Sequence, residues 1–145
     1  MIKVLFLCTH NSARSQIAEG LLRHYGGNKY EVYSAGTEAT FVHPLAIKAM
    51  AELGIDISKH QSKTFEQFLK NDFDYVITVC DAAQESCPNF NGPKTRLHWS
   101  LNDPSMVKGD EKTQLKAYQE VRDGLLEKIE NFILEQSSPA DLAVL

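Results

Sequence analysis

Residues 2–7, Ile-Lys-Val-Leu-Phe-Leu, make a near-continuous apolar run that breaks abruptly into Cys8-Thr9-His10-Asn11-Ser12-Ala13-Arg14-Ser15. A short run of this kind reads as a strand covered on both faces. From Ser15 onward, Ile17, Ala18, Leu21, Leu22 and Tyr25 recur at helical spacing, and Gly26-Gly27 stops them. A buried strand that feeds a helix through a polar turn commits the chain to an alternating architecture, and the rest agrees. Residues 30–35 alternate as a second strand closed by Gly36. His43-Pro44 opens a second helix with Leu45, Ala46, Ala49, Met50 and Leu53 inward and Gly54 as its stop. Thr64 caps a short helix reaching Leu69, residues 73–79 are a third strand, and 95–99 a shorter, more polar one nearer an edge. Leu115, Tyr118, Val121, Leu125, Ile129, Phe132 and Ile133 carry a helical stripe through a long last helix. Such alternation implies parallel pairing through right-handed crossovers. The predicted fold class is α/β: an open, mostly four-stranded parallel sheet with helices on both faces.

At 145 residues the chain is one domain's length. Residues 1–136 read as a single catalytic domain and 137–145 as a loose tail. A net charge of -4 argues against broad nucleic-acid or anionic-membrane binding, yet leaves room for a local cationic pocket. No apolar run approaches a bilayer span. The N-terminus lacks a small-residue cleavage pattern and reads as a strand, so a cytoplasmic protein is expected, as a monomer. Three cysteines, Cys8, Cys80 and Cys87, are the wrong count for a secreted disulfide scaffold. The gap between Cys80 and Cys87 argues against a zinc site shared with His98, and no cofactor is expected.

Open α/β sheets bind ligands at the carboxyl ends of their strands. The segment from Cys8 to Ser15 occupies that position. A turn there points the backbone N–H groups of Thr9, His10, Asn11, Ser12, Ala13 and Arg14 inward, and the helix start adds positive potential, which makes an oxyanion cradle. The same donors are expected to lower the Cys8 pKa and make it a nucleophile. Arg14 supplies a planar, permanently charged fork for two oxygens of a tetrahedral anion. Ser15 offers a hydroxyl to the sulfur and a cap to the helix, and Asn11 tolerates a left-handed backbone that ties the loop together. No nucleotide-binding glycine pattern is present.

Cys8-x5-Arg14-Ser15 on a first strand–helix turn, with Asn102-Asp103-Pro104 far downstream, resembles the low-molecular-weight protein tyrosine phosphatase fold. The stretch from Cys8 to Gly20 is more closely similar to the thioredoxin-coupled arsenate reductases built on that fold. So are Ser34-Ala35-Gly36-Thr37, Gly54-Ile55-Asp56-Ile57-Ser58, and Val79-Cys80-Asp81 followed by Cys87-Pro88. The cradle alone does not separate a phosphatase from a reductase; the other cysteines do. Reducing arsenate to arsenite takes two electrons, which one new disulfide supplies, whereas a phosphatase needs no second thiol. The resemblance implies that Cys8 forms a sulfur–arsenic adduct and that Cys80 attacks the Cys8 sulfur as arsenite leaves. Cys87 then attacks Cys80, and the resulting disulfide is reduced by thioredoxin, or by glutaredoxin with glutathione. Asp81 and Ala82-Ala83-Gln84-Glu85 favour helix. In a helix, residues seven apart stand ~10.5 Å apart along the axis, too far for a disulfide, so this segment is predicted to unwind on oxidation.

The resemblance also assigns Asp103 as the general acid, with Pro104 stiffening its loop. Phosphatases of this fold usually continue Asp-Pro-Tyr; here Ser105 follows, which argues against an aromatic substrate slot. Some relatives bind potassium. Asn11, Glu19 and Ser34 match three ligand positions, but the fourth, normally acidic, falls at Lys63, whose ammonium is expected to substitute by pairing with Glu19. His10 lines the mouth without a catalytic role. The alternatives are a phosphatase acting on phosphotyrosine or small phosphate esters, and a non-enzymatic oxyanion binder or redox sensor.

Overall fold

The computed structural model describes residues 1–80 and 95–136. The elements, numbered among these residues, are β1 (Ile2–Cys8), α1 (Arg14–Gly26), β2 (Tyr30–Gly36), α2 (Pro44–Ala51), β3 (Tyr75–Thr78), β4 (Thr95–His98) and α3 (Glu111–Gln136). Short 3₁₀ turns occupy Phe65–Phe68 and Pro104–Met106. The predicted Asp81 cap, the 81–87 helix and its unwinding, Cys87 and the 137–145 tail lie outside the described residues.

The four strands form one parallel sheet, as the alternation predicts, and their order is β2-β1-β3-β4. β1 is central, and its Val4, Leu5, Phe6 and Leu7 are almost wholly buried, which requires cover on both faces. On one face lie α1 and α3, with Phe132 of α3 packing on Tyr30, Tyr75 and Trp99, and Trp99 on Phe6. On the other, Phe68 from the 3₁₀ turn packs tilted, and Phe73 edge-on, against Tyr33 of β2. α2 packs on α3 and α1. Arg122 fixes that contact by donating to Ala49 O (2.8 Å) at the exit of α2 and pairing with Glu52 (2.7 Å).

Three local expectations change. Tyr25 follows the α1 stripe in spacing but is exposed, because it lies in the last turn, one residue from the helix end; Gly27, at φ 64°, ends the helix. The third strand is shorter than 73–79, since Asp74 turns its side chain to the Lys3 N–H (2.8 Å). Residues 65–68 form a 3₁₀ turn, and Thr64 precedes it without a side-chain cap. Among the described residues no helix is long and apolar enough to cross a membrane.

Register brings the strand ends together. Cys8 pairs with Gly36, Leu7 with Thr78, and Thr78 with His98. β1 sits between strands reached by crossovers to opposite sides, so the loop after Cys8 opens at the topological switch point.

Candidate active site

The loop from Thr9 to Ala13 turns its carbonyls outward, and each has a donor. Thr9 O accepts from Glu38 N (3.0 Å) and Thr37 Oγ1 (3.1 Å), and His10 O from Ser62 Oγ (2.9 Å) and Thr40 Oγ1 (3.2 Å). Asn11 O accepts from Gln16 Nε2 (3.2 Å), Ser12 O from His43 N (2.9 Å) and Ala13 O from Ile17 N (2.8 Å). With the carbonyls held outside, the peptide dipoles leave N–H groups facing the concave side, which is the chemistry of an anion nest. Asn11 provides the bend at φ 48°, in the left-handed region. Gly36 makes the close approach possible: a Cβ there would stand 2.6 Å from Thr9 O and 2.7 Å from Asn11 N.

The Asn11 side chain is the hub of the loop. It is fully buried, donates from Nδ2 to Ser15 Oγ and Ser34 Oγ (both 2.9 Å), and accepts at Oδ1 from Lys63 N (2.8 Å) and Gln16 Nε2 (2.9 Å). Ser15 is therefore not the helix cap its position suggests. α1 already starts at Arg14, and the Ser15 hydroxyl accepts the Asn11 amide instead.

A cavity of about 280 Å³ opens over this loop, with Cys8 and Ser12 at its base and Arg14, Asp103, His43 and Tyr118 along its walls. Arg14 is buried and donates to Leu101 O (3.0 Å), with its other terminal nitrogen 3.5 Å from Asp103 Oδ2. Asp103 Oδ1 accepts from Ser105 N (2.9 Å) and Oγ (2.6 Å). Burial pushes the Asp103 carboxyl up, but the Ser105 donors and the Arg14 guanidinium outweigh it and hold the pKa below the usual carboxylate range. Asp103 is thus a carboxylate in the empty site.

Cys80 follows β3 and is buried beside the loop, with Thr9 Oγ1 3.3 Å from its Sγ. The neighbouring Cys80 thiol and burial together raise the Cys8 pKa, while Arg14 and the Thr9 N–H pull the other way. The expected depression of the Cys8 pKa is therefore overturned in the empty site. The sequence points to Cys80 as the partner thiol, but no local pattern in it encodes the effect of that thiol on the Cys8 pKa. Replacing Cys80 by alanine is expected to move the pH midpoint of Cys8 alkylation downward by at least about one unit. The pH profile of iodoacetamide labelling checks this; an unmoved midpoint would show that Cys80 does not hold the proton in place.

The potassium-type donors do not fit an ion. Ser34 Oγ donates to Glu19 Oε1 (2.6 Å), and Glu19 Oε2 is paired with Arg23 (2.7 Å) and lies 3.5 Å from His60 Nδ1. Lys63 Nζ stands 4.0 Å from Glu19 Oε1 and donates to Gln61 O (2.7 Å). Two permanent cations already flank the carboxylate, and a third would be repelled. Lys63→Ala should lower Tm by about 2–4 °C in potassium-free buffer, as expected for a partly buried pair in a chain of this size. An undiminished Tm would show that the ammonium is only solvated.

His10 lies at the mouth, 3.2 Å from Glu38. The aromatic wall escaped sequence reading: Phe41 stacks on His43, and His43 on Tyr118 with ring centroids 4.7 Å apart. His43 was legible as a helix start, and its Nδ1 does accept from Leu45 N. Tyr118 was legible only as part of a helical stripe.

Residues 3–141 match the family model for low molecular weight phosphotyrosine protein phosphatase. An arsenate reductase from Halalkalibacterium halodurans is 43% identical over 129 residues, which cover 89% of this chain and 93% of that one. A solved arsenate reductase in the phosphate binding state aligns with a TM-score of 0.82 at 38% identity, over 94% of this chain and all of that chain. A thioredoxin-dependent arsenate reductase from Corynebacterium glutamicum aligns with a TM-score of 0.65 at 35% identity, over 94% of this chain and 64% of that one.

Proposed function

We propose that this chain, which belongs to the low-molecular-weight phosphotyrosine protein phosphatase family and groups there with the arsenate reductases, reduces arsenate to arsenite through a thiol relay. The observation that carries this reading is the second thiol: Cys80, a buried thiol like Cys8, sits at the end of β3 beside the cradle loop, its Sγ 3.3 Å from Thr9 Oγ1, where a hydrolase needs no sulfur.

Arsenate enters the cavity, and the loop amides of residues 9–14 and the Arg14 fork take its oxygens. Arg14 leaves Asp103 as it does so, and the Asp103 carboxyl pKa rises beside the new anion. Cys8 loses its proton to the carboxylate or to an arsenate oxygen and attacks arsenic. An oxygen departs as water, carrying protons from the site, and a sulfur–arsenic bond replaces it. The Cys80 thiolate then attacks the Cys8 sulfur. The sulfur–arsenic bond breaks with its electron pair moving to arsenic, which leaves as arsenite, and the two sulfurs are jointly oxidised by two electrons. Thr9 Oγ1, beside Cys80 Sγ, is a donor for that thiolate.

In this reading Cys87 attacks Cys80 and frees Cys8, and a dithiol protein of the thioredoxin type reduces the Cys80–Cys87 disulfide. The reductase works as a cytoplasmic monomer, with residues 1–136 as the catalytic domain and 137–145 as a tail. The cradle also supports some phosphate-ester hydrolysis, because attack by Cys8 on phosphorus uses the same geometry.

The deciding experiment follows arsenate-dependent oxidation of reduced thioredoxin beside p-nitrophenyl phosphate hydrolysis. Multiple turnovers of thioredoxin oxidation are expected. Steady ester hydrolysis with no thioredoxin oxidation would make the protein a phosphatase, and disulfide formation without arsenate consumption would make it a sensor.

A further inference from the structure

Tyr118 is 1% exposed, yet its ring lines the cavity above Cys8, and its hydroxyl has no hydrogen-bond partner among the described residues. It is the buried side-chain oxygen or nitrogen in that condition among the described residues. A buried hydroxyl without a partner is destabilising, and buried polar groups in folded proteins are nearly always satisfied. The ring itself is firmly held. It stacks on His43 at an interplanar angle of 25°, and His43 in turn fastens Ser12 O of the cradle through its backbone N–H and caps α2 through its Nδ1. The Tyr118 hydroxyl therefore cannot swing away to find a partner without disturbing the loop.

We infer that the missing partner of the Tyr118 hydroxyl is an oxygen of the bound tetrahedral oxyanion, so that Tyr118 extends the binding site beyond the loop amides and Arg14. This rests on the oxyanion-binding part of the reading above. The group suits the task. Burial and the nearby Asp103 carboxylate push its pKa up to about 12, so it stays a neutral donor at any working pH and never repels an anion. Its position on α3 also differs in kind from the loop donors: it lines the cavity with Asp103 and Arg14, on a different element from the loop amides, and so would serve an anion oxygen that those amides leave free.

The two states place opposite demands on the hydroxyl. In the empty protein it is an unpaired buried donor; in the complex it donates to a charged acceptor. The experiment measures Tm and inorganic phosphate binding by calorimetry for wild type and Tyr118→Phe. The Phe variant is expected to melt no lower than wild type and to bind phosphate about tenfold more weakly, the effect of one lost hydrogen bond to a charged group. Unchanged phosphate affinity in the variant would overturn the inference. So would a lowered Tm with unchanged affinity, which would mean that the hydroxyl has a structural partner. Failure of the wild type itself to bind phosphate would instead sink the oxyanion-binding reading. Phosphate should also perturb the near-ultraviolet tyrosine spectrum of wild type, and this signal should be lost in Tyr118→Phe.

Discussion

The Cys8→Ser variant is expected to oxidise thioredoxin in response to arsenate at least ~10⁴-fold more slowly than wild type, while its phosphate affinity stays within a few-fold. The two halves of this result have separate causes. Binding belongs to the loop, whose carbonyls are fastened outward by Glu38, Thr37, Thr40, Ser62, Gln16 and His43, none of which uses the Cys8 sulfur. Chemistry belongs to the sulfur. An oxygen at position 8 can neither receive attack by Cys80 to form a disulfide nor pass an electron pair to arsenic. The loss is therefore of the route itself and not of a fraction of its efficiency. Stopped assays of arsenite release check the rate, and calorimetry checks the binding. A serine variant retaining more than about a hundredth of wild-type turnover would mean that Cys8 does not form the adduct.

Arg14→Lys is expected to lower kcat/KM for arsenate by about 10²–10³-fold, although the charge is kept. Arg14 is almost fully buried and reaches two groups at once, Leu101 O and Asp103 Oδ2. The planar fork holds one group while turning the other edge to the anion. A lysine ammonium is a single point that must choose. The substitution also loosens Asp103, whose low pKa depends partly on this guanidinium, so the acid limb of the pH–rate profile should move toward higher pH. Steady-state kinetics across pH measure both effects. A lysine variant within about fivefold of wild type at all pH values would show that charge alone, and not the fork, serves the site.

How much of this could be read from residues alone differs from element to element. The β1 run fixes a strand buried on both faces, and the polar turn after it fixes where the site opens, because parallel sheets place ligands there. The left-handed Asn11 was legible because few residue types tolerate that backbone. What the sequence concealed depends on contacts between distant segments. Cys80 lies 72 residues beyond Cys8, and its effect on the Cys8 proton follows from the β1–β3 register, which no local pattern encodes. Ser15 looked like a cap because capping is the commonest use of serine at a helix start. The buried Asn11 amide claims its oxygen instead. Tyr118 sits in a regular apolar stripe, and only the packing of α3 against α2 brings it to the cavity wall. Residues 81–94, which carry Cys87, lie outside the described residues, so the last step of the relay rests on resemblance and chemistry.

Arsenic is reduced by the two buried thiols, Cys8 and Cys80, as the first disulfide forms between them. The most direct measurement uses Cys87→Ser, which removes the resolving thiol. The variant is treated with one equivalent of arsenate, quenched, and its disulfides are mapped by mass spectrometry. One equivalent of arsenite and an intramolecular link between Cys8 and Cys80 are expected. Arsenite released with both of these thiols still free, or a link that omits either of them, would contradict the relay.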